Sequence, residues 1–238
     1  MHKSKILILL TVFALTLVLV DALPTGPSNI NVIGSSRYPV TSASNISAIA
    51  GNVTEVDFAS NTISSTWQGY FGNISGRVLL GNANNQTLYD WSLASPAGQI
   101  YATRISSVPT WASIRCANQT EVDSEDVTLG VDASVDQDSV NMTFLNTTSF
   151  NQFYVGPVNI NASQNCRAVN LYNSTSQPSP DFAEVLLSDT TNTIYTGIIT
   201  TPVAGFDNKT HQYEMIVGED GHNGNTATTL YYFYLELH

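Results

Sequence analysis

The chain has 238 residues, of which only 11% are charged, and its formal net charge at pH 7 is -11. Binding of nucleic-acid phosphates needs a basic surface, so this charge excludes nucleic acid as an expected partner. An average soluble protein has roughly 25% charged residues, whereas the polarity of this chain comes mainly from Asn, Ser, Thr and Gln. The length suits one large β domain or two small ones.

The first 22 residues have the composition of an export signal. Residues 2–5 are basic and polar, residues 6–20 form an apolar stretch, and residues 20–22 fit the small-x-small rule for cleavage. We therefore predict cleavage after Ala22 and an extracellular or cell-surface location. The alternative is an uncleaved anchor helix, which would be the only contact with a membrane. The apolar stretch is shorter than the roughly 20 residues that span a bilayer.

Residues 23–45 are rich in Pro, Gly, Ser and Asn, which predicts a flexible linker or arm. Within the arm, residues 29–33 have the sequence NINVI and could form a strand if an edge were offered to them. Alternation over residues 46–58 predicts the first β region of a single domain that spans residues 46–238.

Residues 65–104 read as strands separated by turns and predict a central meander. Residues 77–80 and 87–93 flank a Gly/Asn-rich loop, and residues 100–104 follow a Ser-Pro-Ala-Gly turn. Alternation over residues 87–93 predicts that Tyr89, Trp91 and Leu93 share a buried face. The alternative is that aromatic rings of this region are exposed and stack on sugars. The candidates for such ligand binding are Trp67, Tyr70, Trp91 and Trp111.

Residues 117–144 are acidic and lack β-branched alternation, so we predict a short helical insertion with Asn118 or Thr120 as N-cap. The chain returns to β patterns after it. Residues 184–188 and 193–199 flank Asp-Thr-Thr-Asn and predict a hairpin. Residues 228–237 are apolar on both faces, which predicts a central strand. Many short strands joined by turns predict an all-β, antiparallel β-sandwich or jelly roll, preceded by the N-terminal signal or anchor helix.

Cys116 and Cys166 are the only cysteines of the chain. In an exported protein an isolated pair is most simply a disulfide, and arginines rather than metal ligands lie beside both residues.

Sequons for N-glycosylation are dense in this chain, and modification of several is plausible in an exported protein. The chance occurrence of sequons in Asn/Ser/Thr-rich sequence is the alternative. Asn85, Asn173 and Asn208 have the most loop-like context, and Asn73 is a poorer candidate. The ten sequon asparagines are Asn45, Asn52, Asn73, Asn85, Asn118, Asn141, Asn146, Asn161, Asn173 and Asn208.

Catalytic motifs are weak. Carboxylates on predicted strands, namely Asp90, Glu184 and Glu214, leave open a carboxylate pair of the kind that hydrolyses glycosides. The one candidate cofactor is Ca²⁺, because the loop at residues 219–225 offers several oxygen ligands without the spacing of an EF-hand. A plain loop between strands is the alternative there. The candidate ligands are Glu219, Asp220, Asn223 and Asn225.

Four segments carry a resemblance to a class of proteins. The sequence WQGYFGNISG at residues 67–76, YDW at 89–91, GHNG at 221–224 and YYFY at 231–234 resemble segments of small exported archaeal surface proteins, which are uncharacterised. The resemblance covers most of the mature chain and implies an archaeal envelope setting. It implies no activity and no catalytic residue.

Export, sequons and the β pattern together predict a non-enzymatic, glycosylated cell-surface or envelope protein with a structural, adhesive or filament-forming role. Its partners would be copies of itself or other envelope proteins, and in one version residues 29–33 complete a neighbour's sheet. A glycan- or ligand-binding module is the first alternative. A secreted glycoside hydrolase that uses a carboxylate pair is the second.

Overall fold

The computed structural model describes residues 23–238, so the predicted signal or anchor in residues 1–22 lies outside the described part of the chain. Within residues 23–238, no helix is both long and apolar enough to cross a bilayer. The all-β prediction is confirmed, since antiparallel strands dominate and helices are few. The helices are α1 (Gln119–Thr128) and α2 (Val140–Thr143), with short 3₁₀ turns at Trp111–Ser113, Ala162–Gln164 and His222–Gly224.

The strands form one large sheet and several two-stranded pairs. Their bounds are β1 (Trp67–Gly72), β2 (Arg77–Gly81), β3 (Thr87–Ser92), β4 (Gly98–Thr103), β5 (Arg115–Cys116), β6 (Phe153–Val155), β7 (Val158–Ile160), β8 (Arg167–Tyr172), β9 (Pro178–Ser188), β10 (Thr193–Ile199), β11 (Val203–Ala204), β12 (Thr210–His211), β13 (Tyr213–Gly218) and β14 (Tyr232–Leu237).

A six-stranded antiparallel sheet forms the centre of the fold, in the order β14–β4–β10–β9–β5, with β8 also paired to β9. Strands β5 and β8 lie end to end along the same edge of β9, because Cys116 is opposite Leu187 and Arg167 is opposite Leu186. The predicted hairpin is confirmed as β9–β10, and residues 189–192 form its turn.

Both faces of this sheet are buried, so the strands alternate between two apolar cores rather than between core and solvent. On β4, Tyr101 belongs to one core while Ile100 and Ala102 belong to the other. On β9, Val185 and Leu186 divide in the same way. The first core also contains Trp111 with the β6–β7 hairpin, and the second contains residues of α1, α2 and β13.

Strand β13 pairs with β1, and the pair packs on the second core face of the large sheet. On the side away from β1, backbone groups of β13 meet side chains instead of a strand. The N–H of Ile216 donates to Glu184 Oε2 at 2.8 Å. The hydroxyl of Tyr231 donates to the carbonyl of Gly218 at 2.6 Å. These side chains therefore satisfy the inner edge of β13 in place of a third strand.

The helical insertion is confirmed at α1 and α2. Of the two predicted N-caps, Asn118 and Thr120, the structure has Asn118. Asn118 Oδ1 accepts from the N–H of Glu121, whose carboxylate accepts from the N–H of Asn118, which completes a capping box. Asp126, near the end of α1, accepts from the N–H groups of Val140 and Asn141. One helix thus caps the other.

The Cys116–Cys166 disulfide is confirmed, with a Cα–Cα separation of 4.9 Å across 50 residues of sequence. Cys116 ends β5 and Cys166 directly precedes β8, so the bond joins the two strands that share one edge of β9. On the chain-entropy account, a closed loop of this length stabilises the fold by about 4 kcal/mol.

Three predictions about strands are wrong. Residues 46–58 contain no strand, because their backbone has no partner in the structure and their side chains are exposed. Residues 65–104 do not form a meander, since β1 pairs with β13 and β4 joins the large sheet. Strand β14 is an edge strand rather than a central one. Its two apolar faces reflect the two cores that lie above and below it.

Candidate functional site

The N-terminal arm, which we define as residues 26–63, contains no helix or strand, and every residue from 28 to 62 is exposed. The arm nevertheless carries many large apolar side chains, and Ile33 and Phe58 are 95% and 91% exposed. Burial of each such side chain would gain about 2 kcal/mol. The exposed large apolar residues of the arm are Ile30, Val32, Ile33, Tyr38, Val40, Ile46, Ile49, Val53, Val56 and Phe58.

The arm begins at the edge of the large sheet. The N–H of Thr25 donates to the carbonyl of Leu235 on β14 at 3.0 Å, and the N–H of Leu235 donates to Thr25 at 2.8 Å. In an antiparallel ladder the next residue to pair would be Pro27, which has no N–H to donate. The pairing therefore ends after one bridge, and the arm leaves the edge at this proline.

The β2–β3 hairpin is a second apolar element without cover. All of its residues except the partly buried Asp90 are exposed, and the apolar ones lie on both faces. The prediction that Tyr89 and Trp91 share a buried face is wrong: their rings pack on each other at 4.9 Å but remain 60% and 49% exposed. A two-stranded hairpin is marginal by itself. No strand beyond β2 and β3 joins this pair within residues 23–238.

The outer edge of β1 offers unpaired backbone groups. Gly69 lies opposite Ile216, and Trp67 lies opposite Gly218. The N–H of Ile216 and the carbonyl of Gly218 point away from β1. Both pairs are therefore of the non-hydrogen-bonded kind. By the same alternation, the N–H and C=O groups of Trp67, Gly69 and Phe71 face outward, and the carbonyl of Gly69 accepts from Gln68 Nε2 at 2.7 Å. No strand pairs with this edge in the described part of the chain.

Beside the open edge lies a line of half-buried aromatic and apolar side chains. Tyr70 of β1 packs edge-on against Phe233 of β14, with ring centroids 5.3 Å apart. Tyr70, Phe233 and Leu235 are all only partly buried against the second core. The β1–β13 pair is therefore too narrow to cover the face of β14 beneath it.

The four aromatic residues predicted to bind ligand do not form one platform. Trp111 is 4% exposed and packs between Tyr101 and Tyr234 in the first core. Trp67 is half-buried, and its Nε1 donates to the carbonyl of Asp138 at 2.6 Å. Tyr70 is half-buried against the sheet, and only Trp91 is exposed.

None of the ten sequon asparagines is buried. Asn85 and Asn208 lie in turns with positive φ, which matches their loop-like sequence context. Asn73 is exposed as well, directly after β1. Accessibility is necessary for modification, and glycosylation itself stays a prediction. Seven of the asparagines are exposed and three, Asn141, Asn161 and Asn173, are partly buried.

The predicted calcium loop is held by its own hydrogen bonds. Glu219 accepts from the N–H and hydroxyl of Thr229, and Asp220 accepts from the side-chain amide of Asn225 at 3.0 Å. Asn223 lies within the 3₁₀ turn of this loop. No group of three or more His, Cys, Asp or Glu residues within residues 23–238 is arranged to hold a metal ion. Calcium binding stays a prediction.

A polar cavity of about 240 Å³ lies between α1 and the ends of β4 and β10. Glu125, only 3% exposed, accepts from Arg104 Nη2 at 2.6 Å and from the Tyr195 hydroxyl at 2.7 Å. Arg104 Nη1 is buried and has no hydrogen-bond partner within residues 23–238. Burial alone would lower the pKa of Arg104, but Glu125 outweighs it and the pKa is raised. The guanidinium therefore stays charged beside the cavity.

The strand carboxylates proposed as a catalytic pair lie in different surroundings. Glu184 is fully buried, and burial raises its pKa well above the usual range. Asp90 is paired with Arg77 on the exposed hairpin. Glu214 is buried near His211 and accepts from the N–H of Phe206. None of the three lines the cavity beside Arg104, so this geometry lends no support to glycoside hydrolysis.

Sequence reasoning missed the open edge of β1 and the buried Arg104–Glu125–Tyr195 network. The signal for the edge was the uncharged, Pro-free sequence WQGYFG, which lacks the residues that protect edge strands. The network had no sequence signal, because its members lie far apart in the chain. No protein-family model, no curated protein and no solved structure matches this chain.

Proposed function

We propose that this protein is an exported, N-glycosylated, non-enzymatic subunit of a cell-surface assembly, in which copies of the chain associate through their N-terminal arms. The observation that carries the proposal is the arm itself. Residues 28–62 are all exposed, and many of them carry large apolar side chains. Monomeric soluble proteins rarely expose so much apolar surface, and such surfaces mark sites of association.

The exposed β2–β3 hairpin supports the same proposal, because it adds a second apolar surface that an assembly could cover. The net charge of -11 repels copies from one another, but the arm itself carries only three charged side chains, Arg37, Glu55 and Asp57. The accessible sequons suit a surface location, and the disulfide suits an oxidising compartment. The archaeal envelope setting rests on the sequence resemblance alone.

The finer architecture that we propose is a β-sandwich. The six-stranded sheet supplies one layer, and the β1–β13 pair supplies part of the other. Addition of a strand from another copy would widen the narrow layer and complete the second sheet. This arrangement relates the assembly role to the fold.

The test compares the chain from residue 23 onward with a variant in which Ile30, Val32, Ile33 and Val40 are all changed to Ser. Light scattering over a dilution series and electron microscopy would report assembly. We expect large or ordered assemblies for the unmodified chain and a monomer for the variant. The variant keeps the length of the arm, and its far-UV circular dichroism and thermal unfolding serve as controls for folding.

Two outcomes would overturn the proposal. One is an unmodified chain that stays monomeric at every concentration. The other is a variant that assembles as well as the unmodified chain, which would place the association outside the arm.

A second candidate function is the binding of a neutral glycan, favoured by the polar cavity beside Arg104. The cavity is lined by hydroxyl and amide groups, including Thr128, Thr191 and Asn192, and Arg104 Nη1 is a free donor among the described residues. A glycan array with the unmodified protein and with Asn192→Ala tests it. Retention of a sugar by the first and not by the second would favour this function. No retention would remove it.

A further inference from the structure

We propose that residues 29–33 of one copy pair with the open outer edge of β1 (Trp67–Gly72) in a second copy, as a third strand of its β1–β13 sheet. This inference rests on the proposed assembly function and names the surface through which it operates.

The acceptor edge has the length and chemistry that strand addition needs. Outward N–H and C=O groups of Trp67, Gly69 and Phe71 repeat along it, at the spacing that an added antiparallel or parallel strand would meet. The added strand would displace the exposed Gln68 side chain, whose Nε2 donates to the carbonyl of Gly69 at 2.7 Å. Natural edge strands are usually protected by Lys, Pro, a bulge or inward charges. Strand β1 has none of these, and its register with β13 is unbroken.

Apolar surface lies beside the edge. Tyr70 of β1 and Phe233 of β14 pack on each other and are only half-buried. An added strand would therefore gain both backbone hydrogen bonds and an apolar surface.

The donor segment matches this surface. In the sequence Asn-Ile-Asn-Val-Ile, Ile30 and Val32 share one face of an extended chain, while Ile33 and the two asparagines share the other. Ile30 and Val32 are 60% and 78% exposed in the structure. Neither the donor nor β1 carries a charged side chain, so pairing would bury no unpaired charge.

The occupant is a second copy rather than the same chain. Residues 28–62 remain exposed and unpaired although the chain's own β1 follows them directly. Because donor and acceptor are different surfaces, each copy can donate once and accept once, which generates an open chain of copies.

Cysteine cross-linking tests the register. Tyr70 faces the large sheet, so its neighbours Gly69 and Phe71 face away from it. In the added strand, Ile30 and Val32 would face the large sheet, and Asn31 would then face away from it as Gly69 does. One preparation would carry Asn31→Cys and a second would carry Gly69→Cys. After mixing and oxidation, we expect a cross-linked dimer on a non-reducing gel, in at least tenfold greater yield than with the control pair Ser42→Cys and Gly69→Cys.

Equal yields from the two pairs would overturn the inference. A double variant, with Asn31→Cys and Gly69→Cys in one chain, that cross-links only within that chain would also overturn it, because the donor would then serve its own sheet. Fractionation by mass separates these outcomes.

A second measurement distinguishes failure of this inference from failure of the proposed function. Ile30→Asp with Val32→Asp should abolish assembly, while the matched pair Val53→Asp with Val56→Asp should not. If both pairs assemble like the unmodified chain, the donor is wrong and self-assembly still holds. If the unmodified chain itself is monomeric, the proposed function fails as well.

Discussion

The first seventy or so residues of the described chain and the large sheet that follows use apolar residues in opposite ways. In the arm and the β2–β3 hairpin, apolar side chains are exposed on every side. In β4, β9 and β10, apolar side chains are buried on both faces of one sheet. Both regions are rich in β-branched and aromatic residues, so composition does not separate them.

The difference is in pairing. Strands β4, β9 and β10 have partners on both edges, whereas the hairpin strands have one partner each and the arm has no partner beyond the Thr25–Leu235 bridge that precedes it. A strand whose backbone is satisfied can turn its side chains into a core, and a segment without a partner cannot. We therefore expect the stability of the fold to depend on the large sheet and assembly to depend on the N-terminal region. Four changes test this expectation.

Glu125→Ala should have the largest effect. It leaves the Arg104 guanidinium and the Tyr195 hydroxyl without their buried acceptor, and loss of one partner from a buried ion pair costs about 3–5 kcal/mol. The matched control is Asp90→Ala, which breaks the Arg77–Asp90 pair on the exposed hairpin. That change should cost less than about 1 kcal/mol. Urea unfolding of both variants checks the contrast, and equal losses would break the comparison.

Replacement of Cys116 and Cys166 by Ser should lower the free energy of unfolding by about 4 kcal/mol, because the closed loop is long. Cys116 lies in the large sheet and Cys166 directly precedes one of its strands, so assembly should persist wherever the variant is folded. The measurement is urea unfolding of the variant beside light scattering below its transition. Loss of assembly in a fully folded variant would contradict the assignment of assembly to the N-terminal region.

Glu184 should make stability depend on pH. Burial raises its pKa, so the folded protein holds this proton at pH values where the unfolded chain has released it. The resulting stability is complete below the ordinary pKa of glutamic acid and is lost as the pH rises through the higher folded-state pKa. The loss has a slope of about 1.4 kcal/mol per pH unit.

Glu184→Gln cannot release a proton and should flatten this part of the profile. The difference between the two proteins, from urea unfolding at several pH values above 4.5, isolates Glu184. Other carboxyls whose pKa is raised by burial, such as Glu214 and Glu236, titrate in both proteins. Parallel profiles would show that Glu184 does not titrate in this way.

Asn118→Ala should have the smallest effect, a loss of about 1 kcal/mol, because it removes the N-cap of α1 and one half of the capping box. It also removes a sequon. Thr120→Ala removes the same sequon and leaves the Asn118 side chain in place, so it separates capping from glycosylation. If the two variants lose equal stability, the effect comes from the glycan rather than from the cap.

Local features of this fold could be predicted from the sequence. The β9–β10 hairpin followed from two apolar segments around a turn, in which Asp189 accepts from the N–H groups of Thr191 and Asn192. The start of α1 followed from its acidic residues and from Asn118 or Thr120 as the N-cap, of which the structure has Asn118. The disulfide could be predicted because the chain has only two cysteines and its N-terminus predicts export to an oxidising compartment.

Features that depend on distant parts of the chain could not be predicted. Nothing near β1 indicates that its partner is β13 rather than β2. Strand β14 resembles a central strand because layers above and below cover its faces, and alternation reports faces rather than edges. Alternation in residues 46–58 predicted a strand, but the described chain offers these residues no backbone partner. The donor segment could be identified as a candidate from its sequence, but its acceptor required the structure.

The position of β1 has a mechanical consequence. In the proposed chain of copies, β1 would hold β13 on one edge and a neighbour's arm on the other, and the chain's own arm leads directly into its first residue. Tension would pass from arm to β1 to the next arm. An arm that adds parallel to β1 would be loaded in shear, so that several hydrogen bonds must break together, whereas an antiparallel arm would be pulled away one hydrogen bond at a time. The large sheet and the disulfide would lie outside this path, so reducing conditions should leave the tensile strength of such a fibre unchanged as long as its subunits stay folded.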